Sequence, residues 1–70
     1  MKDIIITTQE IKLGSFLKLI GEAESGGDAK NLINSQKVIV DGNICLERGK
    51  KLIPGQTVEI CERKYRVVSE

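Results

Sequence analysis

The sequence predicts an α+β fold, two packed helices on a small and mostly antiparallel sheet, and three observations carry that prediction. Leu13, Phe16, Leu17 and Ile20 fall at i, i+3, i+4 and i+7, one face of an amphipathic helix. Ala29, Leu32 and Ile33 repeat the start of that spacing, which predicts a second helix against the first. Elsewhere the apolar residues come in short β-branched or alternating runs, separated by turn pairs such as Asp41-Gly42 and Pro54-Gly55.

Taken in order, Ile4 to Thr8 is β-branched throughout and reads as an N-terminal strand. Gln9 to Lys12 leads into the first helix, with Lys18 pointing away from its apolar face and Gly21 at its end. Ser25 followed by Asp28 has the form of a capping box, with aspartate in place of the usual glutamate or glutamine. On the second helix Lys30, Asn34 and Lys37 lie at i, i+4 and i+7, a polar stripe beside the apolar one. Gly26-Gly27 opens that helix. Gly27 leaves its backbone open to close approach, and free N–H groups at a helix start suit an anion.

Val38-Ile39-Val40 is the next strand, valines on one face and Ile39 on the other. Asp41-Gly42, or Gly42-Asn43, turns the chain into a return strand at Ile44-Cys45-Leu46. Arg48-Gly49-Lys50-Lys51 is an exposed basic turn, after which Leu52-Ile53 re-enters the core. Thr57 to Ile60 alternates as a half-buried strand should, a turn follows around Glu62-Arg63, and Tyr65 to Val68 is a last strand beside the first. One domain over residues 1–70 is expected, without repeats or linkers.

Composition narrows the function. Apolar residues at 40% and charged residues at 30% are ordinary globular values, and the net charge of +1 is uninformative until it is mapped. Residues 1–29 hold three lysines against five acids, residues 30–51 five cations against Asp41 and Glu47, and residues 52–70 three of each sign. The excess of positive charge lies in the middle third, the footprint of a polyanion site. There is no histidine, so a Cys–His nucleophile is excluded and no metal set is expected around Cys45 and Cys61. Both cysteines are expected as buried thiols, with a disulfide between them as the alternative. Gly26-Gly27 fits neither a dinucleotide fingerprint nor a P-loop. No enzyme activity and no cofactor are expected. The first residues lack a signal-peptide apolar core, and no apolar run approaches membrane-spanning length. A cytoplasmic monomer without a membrane partner is expected.

Phe16 and Tyr65 are the only aromatics, and Phe16 belongs to the core, so a platform for stacking single-stranded bases cannot be built. Lysine, arginine, asparagine and backbone N–H groups suit the phosphates and 2′-hydroxyls of a folded RNA read by shape. Five cations would contact about three to five phosphates, with a log–log salt slope of roughly −2 to −4.

Phe16-Leu17-Lys18-x-x-Gly21, Ala29-x-x-Leu32-Ile33, Val38-x-Val40-Asp41-Gly42 and Leu52-x-x-Gly55-x-x-Val58 resemble the alpha-L RNA-binding motif, the domain named after ribosomal small-subunit protein four. The resemblance covers about residues 11–60. Ser25-Gly26-Gly27-Asp28-Ala29-Lys30 and Arg48-Gly49-Lys50-Lys51 are similar to the small stand-alone YaaA-like members. It implies two helices on a curved sheet, with ribosomal or transfer RNA along the second helix and the adjacent hairpin. It also implies a setting on ribosomal particles. By position it nominates Lys18, Gly26, Gly27, Lys30, Arg48, Lys50 and Lys51, and the helical stripe adds Asn34 and Lys37. Three positions depart from the pattern. Gly26 stands where the larger family has an arginine, Asp41 where asparagine is common, and Gln56 where aspartate is common. A protein-interaction adapter that kept the fold and lost the RNA site is the alternative. A ubiquitin-like sulfur carrier shares the strand rhythm but needs a C-terminal Gly-Gly, and the glycine pair here is internal.

Overall fold

The computed structural model describes residues 1–70. In chain order the elements are β1 (Lys2–Ile6), β2 (Ile11–Lys12), α1 (Leu13–Leu19), α2 (Gly26–Asn34), β3 (Val38–Val40), β4 (Asn43–Ile44), β5 (Lys51–Leu52), β6 (Thr57–Ile60) and β7 (Arg63–Ser69). Five strands form one sheet in the order β1-β7-β6-β3-β4, and β2 and β5 form a separate ribbon. All pairings are antiparallel except β1 with β7, which are parallel with Ile4 opposite Val67. A parallel pair needs a long crossover, and here the rest of the chain supplies it.

Period-2 alternation decides which sheet face is covered. Val38, Val40, Val58, Ile60, Tyr65 and Val67 point inward and are buried, while Ile39, Glu59, Lys64 and Arg66 lie on the other face. The helices cover the inner face with Leu13, Phe16, Leu17, Ala29 and Ile33, and Leu52 of the ribbon joins this cluster. The outer face carries the pairs Arg66–Asp3 at 3.1 Å and Lys64–Glu59 at 3.6 Å, exposed contacts that contribute little to stability. No helix is long and apolar enough to cross a membrane.

Both helices end in a Schellman arrangement. At α1 the left-handed residue is Gly21, with its N–H donated to the Lys18 carbonyl and that of Glu22 to Leu17. At α2 the same role falls to Gln36 at φ 63°, with N–H bonds from Gln36 to Ile33 and from Lys37 to Leu32. The helix therefore stops at Asn34, and Lys37 lies beyond it. The expected stripe loses its third member.

Other expectations are corrected as well. Gln9 to Lys12 is not simply a lead-in, since Ile11–Lys12 pairs with Lys51–Leu52 as a short ribbon. The N-terminal strand begins earlier and ends at Ile6, before Thr7. Of Leu52-Ile53, only Leu52 is in the core. Ile53 is 52% exposed, because the chain is already turning there and its N–H donates to Gln56 Oε1 at 2.9 Å. The return strand is only Asn43–Ile44, with Leu46 exposed.

Cysteine burial also differs from expectation. Cys45 is half-buried, while Cys61 is exposed in the two-residue turn joining β6 to β7, and both are free thiols. Cys61 and Glu62 have φ of 51° and 68°, the left-handed pair that a right-twisted hairpin demands. That turn is tied down at one end. Tyr65 Oη donates to Glu22 Oε2 at 2.8 Å, and Arg63 Nη1 reaches the same oxygen at 3.0 Å, fastening the α1–α2 link to β7. The Glu22 carboxylate and burial together push the Tyr65 hydroxyl above its usual pKa.

Neither Cys61 nor Glu62 is suited to a left-handed conformation. Replacing them with the preferred pair, Cys61→Asn with Glu62→Gly, is expected to raise stability by roughly 1 kcal/mol. Urea unfolding of the double variant checks this, and an unchanged or lower midpoint would show that the turn is not strained.

Candidate functional site

Helix α1 starts without a side-chain cap. Lys12 is its N-cap residue, extended at φ −71° and ψ 145°, and its side chain bonds none of the helix N–H groups. Two loop carbonyls take that role: Leu13 N–H donates to Lys50 O at 2.8 Å and Gly14 N–H to Arg48 O at 3.0 Å. The segment between β4 and β5 is thereby laid across the start of α1. The basic turn is on that segment.

Helix α2 is capped conventionally. Ser25 Oγ accepts from Asp28 N–H at 3.2 Å. Asp28 Oδ2 reaches back to the N–H of Glu24 at 3.3 Å, one residue earlier than in a standard capping box. The N–H groups of Gly26 and Gly27 have no acceptor within the chain.

Between the two helix starts and the loop lies an open cleft of about 390 Å³. Its charged lining is Lys12, Lys18 and Arg48, and Gly14, Ser15, Gly26 and Gly49 complete it. No acidic or apolar side chain contributes. The ion pairs of the protein are made by Lys51, Arg63, Lys64 and Arg66, so the three cleft cations are unpaired. Three like charges around a concavity with no counter-charge give a focused positive potential.

Of the residues nominated from sequence, the cleft brings together Lys18, Gly26 and Arg48. Lys51 stands beside it, directly opposite Lys12 in the β2–β5 ribbon, with Nζ 3.5 Å from Glu10. Lys30 and Asn34 follow Gly26 by one and two helical turns on the same flank of α2, exposed and outside the cleft lining. Gly27 is exposed and does not line the cleft. Lys37 is separated from the stripe by the left-handed Gln36. Lys50 lies on a different depression of about 350 Å³, with Asp41, Ile44, Leu46, Glu47 and Gln56. The two basic stretches meet through Arg48, not through Lys50.

Sequence reasoning missed Lys12, Gly14 and Ser15. A signal existed: Lys12, Ser15 and Lys18 recur every third residue, a polar flank to the apolar stripe of Leu13, Phe16 and Leu17. No group of three or more histidine, cysteine or acidic side chains converges to hold a metal.

Behind the loop, Asp41 ties two turns together. Asp41 and Gly42, at φ 50° and 87°, form the two-residue turn between β3 and β4. Asp41 Oδ1 accepts from Thr57 N–H at 2.8 Å, and Oδ2 from Gln56 Nε2 at 2.8 Å. These bonds, Thr57 first, hold the Asp41 carboxyl below the usual carboxylate range. Gln56 Oε1 in turn accepts from Ile53 N–H. The acid at 41 and the amide at 56 are thus hydrogen-bonded partners.

Two short helices on a mostly antiparallel sheet, with a cationic cleft where the helix starts meet a basic loop, define a compact α+β module of the alpha-L class. The chain belongs to the S4 domain family, whose model matches residues 4–68. It is 44% identical over 57 residues to the "Probable ribosome maturation protein RlbA" of Bacillus subtilis (strain 168), covering 81% of this chain and 80% of that one. It is 37% identical over 59 residues to the "Putative RNA-binding protein YbcJ" of Escherichia coli (strain K12), covering 84% of each. The solution structure of E. coli YbcJ, described as revealing an alpha-L motif involved in RNA binding, superposes with a TM-score of 0.72 at 33% identity, over 97% of this chain and 87% of that one. Ribosomal protein S4e of Thermoplasma acidophilum shares the fold alone, with a TM-score of 0.64 at 22% identity over 86% of this chain and 32% of that one.

Asp41→Asn alone would set an amide donor against Gln56 Nε2 and is expected to cost about 1 kcal/mol. Adding Gln56→Asp restores an acceptor there and should recover part of that loss, a coupling readable by a double-mutant cycle. Because the folded carboxyl titrates low, its contribution is present above the unfolded aspartate pKa of about 4 and is lost as pH falls through the folded value. Urea midpoints across acid pH check both points. Purely additive costs would break the pairing.

Proposed function

We propose that this chain is a non-catalytic RNA-binding protein that holds a structured RNA, ribosomal or transfer, through phosphates at the Lys12–Lys18–Arg48 cleft. The observation that carries the reading is the cleft itself: three cations, none paired, and no acid among its lining residues. Such a site suits a polyanion and gains affinity by releasing counterions. Buried aromatics support backbone and shape recognition over base stacking, since Phe16 is fully buried and Tyr65 is 7% exposed. Membership of the S4 domain family and the names of the relatives, one RNA-binding and one for ribosome maturation, support RNA on an assembling ribosomal particle as the partner.

In this reading residues 1–70 act as one domain, a cytoplasmic monomer. Arg48, Lys12 and Lys18 grip the backbone at the centre. Lys51 extends the grip along the ribbon, while Lys30, Asn34 and Lys37 offer outer contacts past Gly26 and Gly27. Lys50 contributes from the far side of the loop.

The test is affinity for a short RNA hairpin measured across a salt series. The triple variant Lys12→Ala, Lys18→Ala, Arg48→Ala is expected to bind far more weakly, with a log–log salt slope about two to three units shallower. Equal affinity and slope in a variant that unfolds like the wild type would refute the cleft as the RNA site.

A further inference from the structure

Gly14 sits in the first turn of α1 and is buried, although glycine is among the poorest helix formers. In a helix of seven residues that choice is a local conflict, and such conflicts point to a constraint from elsewhere. The constraint is Arg48. A methyl group at Gly14 would come within 2.8 Å of Arg48 Cγ and 3.3 Å of Cδ. At the other end, a methyl group at Gly26 would stand 3.8 Å from Arg48 Nη1. The arginine stem therefore crosses α1 at one glycine, and its guanidinium arrives beside another. Its backbone is fixed at the same place, since Arg48 O accepts from Gly14 N–H at 3.0 Å.

We propose that Gly14 is a positioning residue for RNA binding: it seats the stem of Arg48 so that the guanidinium is held toward Gly26 at the mouth of the cleft. This rests on the reading of the cleft as the RNA site. Ordering a rotamer-rich side chain on binding costs affinity, and a stem already lodged against a helix avoids part of that cost. Arginine gains most from it, because its planar fork pairs with phosphate oxygens only in a defined orientation. Lys12 and Lys18 act as point charges and need no such seat.

Gly14→Ala separates this role from that of an ordinary helix residue, because the two predict different effects on binding. By helix propensity alone the substitution stabilises the protein and leaves binding untouched. If Gly14 seats Arg48, the added methyl displaces the stem, and affinity for a fluorescein-labelled RNA hairpin falls about two- to tenfold. The salt slope should change little, since the charge remains. In an Arg48→Ala background the same substitution should have no further effect. Arg48→Lys, which leaves the helix untouched, should also weaken binding at a nearly unchanged slope, and wild-type affinity there overturns the inference even if Gly14→Ala folds poorly.

Wild-type affinity in Gly14→Ala, or an equal loss with and without Arg48, overturns the inference while the cleft reading stands. Wild-type affinity in Arg48→Ala together with the Lys12 and Lys18 variants overturns both.

Discussion

Two backbone hydrogen bonds organise this structure. Helix α1 has no side chain to cap it, and the carbonyls of Lys50 and Arg48 take the N–H groups of Leu13 and Gly14. A helix end without partners is costly when its residues are buried, and Leu13 and Gly14 are both buried. The loop must therefore lie across the helix start for the core to close. Because that loop is also the basic one, the contacts that complete the fold also bring Arg48 to the cleft beside Lys12 and Lys18.

The arrangement also shows how the departures from the family pattern fit together. Gly26 stands where an arginine is usual, and the guanidinium beside it comes from Arg48, on the loop. Asp41 and Gln56, the other two positions that depart from the resemblance, are bonded to each other at 2.8 Å.

Much of the fold was legible from periodicity. The faces of α1 and β3 and the Asp41-Gly42 turn follow from alternation, helical spacing and turn chemistry. What escaped was non-local or left-handed. The β2–β5 ribbon has two residues per strand, too few for a pattern to appear. Gln36 ends α2 in a conformation that glutamine seldom adopts, so periodicity alone carries the helix on to Lys37. Strand-like neighbours place Cys61 in the core, yet a hairpin with register Ile60 to Arg63 puts it in the turn. At the site, Lys18, Gly26 and Arg48 were legible as a resemblance. Lys12 and Gly14 were not, because their part depends on a loop 34 residues downstream of Gly14 folding back onto α1.

The central claim is that RNA is held where the loop crosses the helix starts. Titrating isotope-labelled protein with an RNA hairpin, and following each backbone amide by nuclear magnetic resonance, tests it directly. The account predicts the largest shifts at Lys12, Gly14, Ser15, Gly26, Arg48 and Gly49, fading as salt is added. Shifts confined to the outer sheet face or to the depression around Ile44 and Leu46, with the cleft amides unmoved, would contradict it.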